Sequence, residues 1–304
     1  MKKLYGVTTA MVTPFDENGH VDVDAVKAMV EFLIARGVNC LYPCGTTGEM
    51  FLMSEEDRKL MAETVVKQNA GRVTVFIHVG AMREDETVRL ARHAYGIGAD
   101  GIGIVTPAFF YTNPDAMVRY YETVMHSVPE TFPCYLYNIP QCAANDLTVD
   151  VVKRVVASCK NAVGLKYSFV DMVRTDEYLD VGNGFEVMHG ADRFMVPMLA
   201  MGCKGTVSGV SSVYPEPFAA VYRAFMAGDL EKAREMQKLA TKFVVALKGG
   251  SNMAYFKSGL RFRGLNGGLM HAPQIELPAD EEERLWKELA ALEAGCPEGL
   301  LQKI

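Results

Sequence analysis

The sequence predicts an α/β fold, a (β/α)8 TIM barrel in which a closed sheet of eight parallel strands is surrounded by helices. Short apolar runs rich in β-branched residues alternate with helical patterns at intervals of about 30 residues. Strands that alternate with helices require a parallel sheet with right-handed crossovers, and eight such units favour a closed barrel over an open sheet. The expected strands lie at 5–10, 40–43, 74–78, 101–105, 134–137, 163–166, 186–189 and 205–207.

Three of the connecting helices have recognisable first residues. Ser54 is followed three residues later by Asp57, a pattern that resembles a capping box. Asn113 precedes a proline, the residue favoured at the first helical position, and Thr148 precedes the helix after the fifth strand. The last helix of the barrel is expected at 215–227.

The alternation of strands and helices ends at Gly228. Residues 230–247 and 281–292 have helical patterns with no strand between them, and no linker or low-complexity tract precedes them. We therefore expect a catalytic barrel over 1–228 and a C-terminal helical extension over 229–304 that packs on the barrel.

The composition excludes several classes of protein. A net charge of −6 argues against nucleic acid or an anionic membrane as partner, and no stretch approaches 18 unbroken apolar residues. The seven cysteines are an odd number without a Cys-x-x-Cys pair, which predicts reduced thiols in the cytoplasm and no metal framework. The first residues lack the apolar core and cleavage site of a secretion signal.

Lys166 is the most informative candidate for chemistry, because it closes the short apolar run of the sixth strand. Lysine is rarely buried, since removing its ammonium group from water is costly. Desolvation lowers the pKa of a lysine, and a neutral amine can attack a carbonyl carbon to form an imine. A lysine that reaches solvent from the strand end is the alternative interpretation.

Two further groups are expected at the same mouth of the barrel, where the loops after the strands build the active site. Tyr137 ends the fifth strand, and a phenol next to an amine can move protons. The segment Gly45-Thr46-Thr47-Gly48-Glu49 follows the second strand. Its glycines allow the backbone to turn closely around a ligand, and its threonines offer hydroxyl and amide groups to a carboxylate.

These motifs together resemble the dihydrodipicolinate synthase/N-acetylneuraminate lyase family: Gly-Thr-Thr-Gly-Glu, Tyr-Asn-Ile-Pro and Gly-x-Lys. The resemblance implies a class I (Schiff-base) mechanism on pyruvate or another 2-oxo acid, without metal or organic cofactor. It also implies that Lys166 forms the imine, that Tyr137 donates and accepts protons, and that Thr46 orients Tyr137. Thr47 and the backbone at Val207 would hold the pyruvate carboxylate. Family members are commonly tetramers, built as pairs of tight dimers.

Departures from the family pattern bear on the substrate. Synthases of the lysine pathway carry an arginine two residues after the Tyr-Asn-x-Pro proline, where it holds the carboxylate of the aldehyde substrate. Here that position is Cys142. Gly190 and Asp192 resemble the sialic acid lyases, whose aspartate contacts sugar hydroxyls, but the lyase glutamate that normally follows is Arg193 here. We expect Arg193 to open the helix after strand seven, either as a surface salt-bridge partner or as a clamp for a distal carboxylate or phosphate.

The loop after the fourth strand, 107–114, is longer than is usual in the family. In the synthases this loop delivers a tyrosine into the site of the neighbouring subunit. Phe109 occupies the simplest alignment position for that tyrosine, and Tyr111 is the alternative.

The leading hypothesis is an aldolase or lyase that cleaves or forms a carbon–carbon bond of a 2-oxo acid. The absence of the synthase arginine favours a 2-keto-3-deoxy sugar acid or an N-acetylneuraminate-like substrate. The first alternative is 4-hydroxy-tetrahydrodipicolinate synthase, which condenses pyruvate with aspartate semialdehyde, and the second is a non-catalytic protein that binds a 2-oxo acid. A pyridoxal-phosphate barrel is disfavoured, because no glycine-rich phosphate cup follows the seventh or eighth strand.

Overall fold

The computed structural model describes residues 1–301 and confirms the predicted fold class. Eight parallel strands close into a barrel in chain order, and the eighth pairs with the first. Each predicted strand end lies within one residue of the observed one. The strands are β1 (Gly6–Ala10), β2 (Cys40–Tyr42), β3 (Thr74–His78), β4 (Gly101–Val105), β5 (Cys134–Asn138), β6 (Ala162–Tyr167), β7 (Glu186–His189) and β8 (Gly205–Ser208).

The predicted helix starts are confirmed by their caps. The Ser54 hydroxyl accepts the Asp57 N–H, and the Asn113 and Thr148 side chains cap their helices in the same way. The helices are α1 (Val23–Ala35), α2 (Glu55–Asn69), α3 (Glu84–Gly96), α4 (Pro114–Met125), α5 (Pro140–Ala143), α6 (Val149–Ser158), α7 (Met172–Leu179), α8 (Met195–Met201), α9 (Pro215–Met226), α10 (Leu230–Ala246), α11 (Met253–Phe262) and α12 (Ala279–Ala294).

Large aromatic side chains fill the interior of the barrel, and glycines in neighbouring strands give them room. A Cβ atom at Gly103 would lie 1.7 Å from the Tyr42 hydroxyl oxygen, and one at Gly164 would lie 2.4 Å from the ring of Tyr135. Any larger residue at these two positions would collide with an aromatic ring. The interior is therefore a packed core, and space for a ligand exists only toward its ends.

The C-terminal extension packs on the barrel through α10, which lies against α9. Helix α12 contacts both α10 and α11, with Leu285 and Leu289 buried. The sequence analysis predicted α10 and α12 but missed α11, which begins after Asn252, whose side chain accepts the Ala254 N–H. In the described part of the chain, no helix has the length and apolar character needed to cross a membrane.

Candidate active site

Strands β5 and β6 bring the two central side chains of the site together. Tyr137 and Lys166 are partners in the strand register, so their side chains leave the sheet side by side. The Lys166 Nζ atom lies 3.9 Å from the centroid of the Tyr137 ring and 5.2 Å from that of the Tyr42 ring. Lys166 is only 4% exposed, so its amine lies among aromatic faces rather than in water.

The loop after β2 adds a threonine hydroxyl to this pair. Its backbone turns tightly, with the Gly48 N–H donating to the Gly45 carbonyl and the Glu49 N–H donating to the Thr46 carbonyl, both at 3.0 Å. The turn places Thr46 Oγ1 at 3.3 Å from the Tyr137 hydroxyl. The structure therefore joins Lys166, Tyr137 and Thr46 in one cluster at the carboxyl end of the barrel.

The expected carboxylate-binding groups lie next to each other across the mouth. Val207 is buried in β8, in register with Thr8 of β1. A Cβ atom at Gly209, just beyond β8, would lie 2.9 Å from Thr47 Oγ1. The Thr47 hydroxyl thus approaches the backbone that follows β8.

The loop after β7 contributes the carboxyl group of Asp192, which accepts a hydrogen bond from the Thr206 hydroxyl of β8 at 3.4 Å. Burial raises the pKa of Asp192 to about 6, although hydrogen bonds from Ser208, from the backbone at Val210 and from Thr206, and the charge of Lys166, act in the opposite direction. Gly190 packs closely on Ser168. A polar wall therefore lies on the β7–β8 side of the amine.

The other two candidate residues remain outside this cluster. Arg193 is exposed and belongs to the short 3-10 turn Asp192–Phe194, so the expectation that it opens a helix is wrong: α8 begins two residues later, at Met195. No ion pair of Arg193 occurs among residues 1–301, so the structure gives it no salt-bridge partner there. Tyr111 is 83% exposed, and Phe109 is exposed beside it.

Sequence reasoning missed two buried polar side chains beside Lys166. His78 ends β3, and its Nδ1 donates to the Cys44 carbonyl at 3.0 Å. Its Nε2 atom and the Tyr42 hydroxyl have no hydrogen-bond partner in the described chain. Burial, together with the charges of Arg58 and Lys166, lowers the pKa of His78. Their position could have indicated them, because Tyr42 and His78 lie at the carboxyl ends of their strands, as Tyr137 lies next to the end of β5.

A buried ion pair fastens the β2 loop to the C-terminal extension. Glu49 has a φ of +58°, uncommon for a residue other than glycine, and its Oε2 lies 2.6 Å from the Nζ of Lys257 in α11. Lys257 Nζ also donates to the Leu269 carbonyl at 2.7 Å. The side chains of Lys257 and Glu49 are 0% and 4% exposed.

A cavity of about 390 Å³ opens beside Thr46. It lies between the β2 loop, the end of β5 with α5, and the segment that precedes α11. Cys142 faces it from α5, and burial raises the pKa of its thiol, against the opposing effect of the Lys166 charge. The cavity is therefore a direct extension of the cluster around Lys166. Among residues 1–301, no group of three His, Cys, Asp or Glu side chains could hold a metal ion.

The fold and the site define this protein as a (β/α)8-barrel enzyme with a buried amine at the mouth. The chain belongs to the dihydrodipicolinate synthetase family, whose model matches residues 3–292. The resemblance found in the sequence motifs is thereby confirmed, and the protein is a carbon–carbon lyase of that family.

Known relatives are similar over nearly the whole chain. An uncharacterised DapA-like lyase of Halobacterium salinarum is 33% identical over 289 residues, which cover 95% of this chain and 94% of the relative. The 4-hydroxy-tetrahydrodipicolinate synthase of Syntrophus aciditrophicus is 32% identical over 281 residues, or 92% of this chain and 95% of that enzyme. One similar solved structure is that of YagE in complex with pyruvate, a prophage protein of the dihydrodipicolinic acid synthase family from E. coli K12. It matches with a TM-score of 0.90 and 26% identity, and the match covers 96% of this chain and 99% of the YagE chain.

Proposed function

We propose that this protein is a pyruvate-dependent class I aldolase that forms a Schiff base on Lys166. The observation that carries the proposal is the buried Lys166 amine next to Tyr137, whose hydroxyl is hydrogen-bonded to Thr46. An amine shielded from water is suited to attack a carbonyl carbon, and a phenol within reach of it can supply and remove the protons of each later step.

In the proposed reaction, Tyr137 donates and accepts the proton that moves in each step. The Lys166 amine adds to C2 of the 2-oxo acid, and the Tyr137 phenol protonates the departing hydroxyl, leaving a protonated imine, water and a phenolate. The phenolate takes the proton of the C4 hydroxyl while the C3–C4 bond breaks, and the electron pair moves into the imine to give an enamine and an aldehyde. Tyr137 then returns the proton to C3, and water releases pyruvate and the free lysine while the Tyr137 phenolate takes up the proton set free in this hydrolysis. Run backward, the same steps form the bond.

The remaining groups position the substrate. We assign the pyruvate carboxylate to Thr47 and the backbone at Val207, supported by the close approach of Thr47 Oγ1 to the chain beyond β8. Because the protonated imine serves as the electron sink, this scheme requires no metal or organic cofactor. The Thr46 hydroxyl orients the phenol.

Two finer assignments of the aldehyde remain predictions. A 2-keto-3-deoxy sugar acid or an N-acetylneuraminate-like substrate is supported by Asp192, whose carboxyl group is close enough to feel the charge of Lys166 and can accept hydrogen bonds from hydroxyls. Condensation of pyruvate with aspartate semialdehyde is supported by relatives that are named synthases. The homotetramer and the cytoplasmic location also stay predictions.

Trapping with borohydride tests the mechanism. Incubation with pyruvate and sodium borohydride should leave a stable adduct that peptide mass mapping places on Lys166. A Lys166→Ala variant should give no adduct, whereas Lys204→Ala, which alters the residue before β8 at the opposite end of the barrel, should be labelled normally. An unmodified Lys166, under conditions that label a known family member, would exclude the mechanism. Adduct formation without turnover of any aldol or aldehyde would support the non-catalytic alternative.

A further inference from the structure

The cavity beside Thr46 indicates what kind of aldehyde the protein can bind. We infer that this half is uncharged and largely apolar, and that it lies in the cavity during the reaction. The inference rests on the proposed function, because it takes Lys166 and Tyr137 as the place where the bond breaks. It departs from the sugar-acid and semialdehyde predictions, because the aldehydes of both are polar or charged.

The interior of the cavity is apolar. Its inner lining consists of aliphatic and thioether side chains from the β2 loop, the end of β4 and the loop after it, α5 with the residue before it, and the start of α11: Met50, Val105, Ala108, Ile139, Ala143 and Met253. The polar side chains of Ser251, Asn252 and Gln274 also line it, but all three are exposed and form its outer rim. An apolar interior with a polar rim is the usual construction of a small-molecule site, and the volume lies within the usual range of about 300–1,000 Å³.

The described residues that line this cavity provide no positive charge. Of the described residues that line it, none is arginine, lysine or histidine. Its one acidic residue is Glu49, whose carboxylate is already paired with Lys257. Burial raises the pKa of Glu49 and lowers that of Lys257, so the pair has zero net charge whether the proton resides on the carboxyl or on the amine.

An anionic aldehyde would therefore be bound poorly. Its carboxylate would lose water without gaining a partner, which is strongly unfavourable in an apolar site. Cys142 is exposed in this wall, and a thiol is neutral or negative, so it supplies no compensating positive charge. Neither Arg193 nor Asp192 belongs to the described residues that line the cavity.

Competition between four aldehydes tests the inference. Pyruvate is condensed with acetaldehyde, benzaldehyde, succinic semialdehyde and glyceraldehyde, and products are quantified by mass spectrometry. We expect kcat/KM for benzaldehyde to exceed that for succinic semialdehyde and for glyceraldehyde by about tenfold or more, since an apolar pocket discriminates at least that strongly. A preference for succinic semialdehyde or glyceraldehyde in enzyme whose Lys166 is trapped by pyruvate would overturn the inference and leave the proposed function intact. Absence of trapping would overturn both.

Two variants in the cavity, with a third outside it as a control, test whether the aldehyde lies there. Ala108→Leu fills part of it and should lower kcat/KM for benzaldehyde about tenfold relative to its effect on acetaldehyde. Ala116→Leu makes the same change on α4, outside the cavity, and should preserve the ratio of the two aldehydes. Cys142→Arg supplies a cation and should shift the ratio of succinic semialdehyde to benzaldehyde upward by about tenfold or more. Unchanged ratios in both Ala108→Leu and Cys142→Arg would place the aldehyde elsewhere.

Discussion

Removal of one oxygen atom at Tyr137 separates its chemical role from its structural role. In Tyr137→Phe the ring remains in contact with Lys166 at 3.9 Å, and only the hydroxyl bonded to Thr46 disappears. Loss of a positioned acid–base group typically lowers the rate about 100- to 10,000-fold, which corresponds to about 3–5 kcal/mol of activation free energy. Loss of the hydrogen bond itself should cost only about 1 kcal/mol of folding stability. Turnover should therefore fall far more than stability.

Tyr135→Phe is a matched control for this variant. Tyr135 is on the same strand, faces the same interior and is fully buried, but its hydroxyl accepts the Leu4 N–H at the opposite end of the barrel. The Tyr135 hydroxyl also donates to Glu186 Oε2 at 3.4 Å. Tyr135→Phe should therefore lose at least as much stability in urea unfolding as Tyr137→Phe, whereas only Tyr137→Phe should lose kcat.

The assay is steady-state cleavage or condensation with the best substrate of the aldehyde comparison, beside borohydride trapping at equilibrium. A fall in kcat with little change in KM indicates an interaction made mainly in the transition state. Trapping at Lys166 should persist, because the carboxylate contacts and the amine are unaltered. Equal turnover in Tyr137→Phe and the wild type would refute the assignment of Tyr137 to proton transfer.

Three further predictions concern specificity and stability. Arg193→Ala should leave the ratio of kcat/KM for charged and uncharged aldehydes unchanged, because Arg193 is exposed and lies outside the cavity. A ten- to hundredfold loss of kcat/KM for the charged aldehyde alone, about the value of a charge-assisted hydrogen bond, would identify Arg193 as a clamp. Burial lowers the pKa of His189 from 6.5 to about 4. Below pH 6.5 the unfolded chain therefore binds a proton at His189 that the native chain does not bind, and the stability of the native chain falls. His189→Asn should therefore lose ~2 kcal/mol less than the wild type between about pH 7.5 and 5 in urea unfolding. Lys257→Met leaves the Glu49 carboxylate buried and unpaired and should cost about 3–5 kcal/mol of stability in the same unfolding measurement. The double variant Lys257→Met/Glu49→Leu should restore most of that stability. Equal stabilities of the single and double variants would show that the pair is not coupled.

The strands and the central cluster could be predicted because both follow from local patterns. Each strand is a short apolar run between polar residues, and its carboxyl end must face the mouth once the sheet is parallel. That rule alone brings Lys166, Tyr137 and Thr46 together. It applies equally to Tyr42 and His78, yet a buried tyrosine or histidine has no distinctive sequence pattern, so neither was singled out.

Features that depend on contacts between distant segments could not be predicted. The apolar cavity combines the β2 loop, α5 and the segment before α11, and no one of these segments has a pattern that indicates a pocket. Arg193 was misplaced for a local reason: the chain leaves β7 through a 3-10 turn before α8, a detail of backbone geometry that composition does not encode.

The C-terminal extension is part of the site rather than a cover on the barrel. Helix α11 supplies Lys257 to the end of the β2 loop, and its neighbour Phe256 packs where Thr47 meets the backbone beyond β8. A Cβ atom at Gly209 would lie 2.9 Å from both the Phe256 ring and Thr47 Oγ1, so both side chains pack closely on the backbone at Gly209. The loop that holds Thr46 and Thr47 is thus fixed from two sides, by β2 and by α11. Because catalysis depends on sub-ångström placement of such groups, a change that loosens α11 should disturb carboxylate binding and proton transfer before it unfolds the barrel.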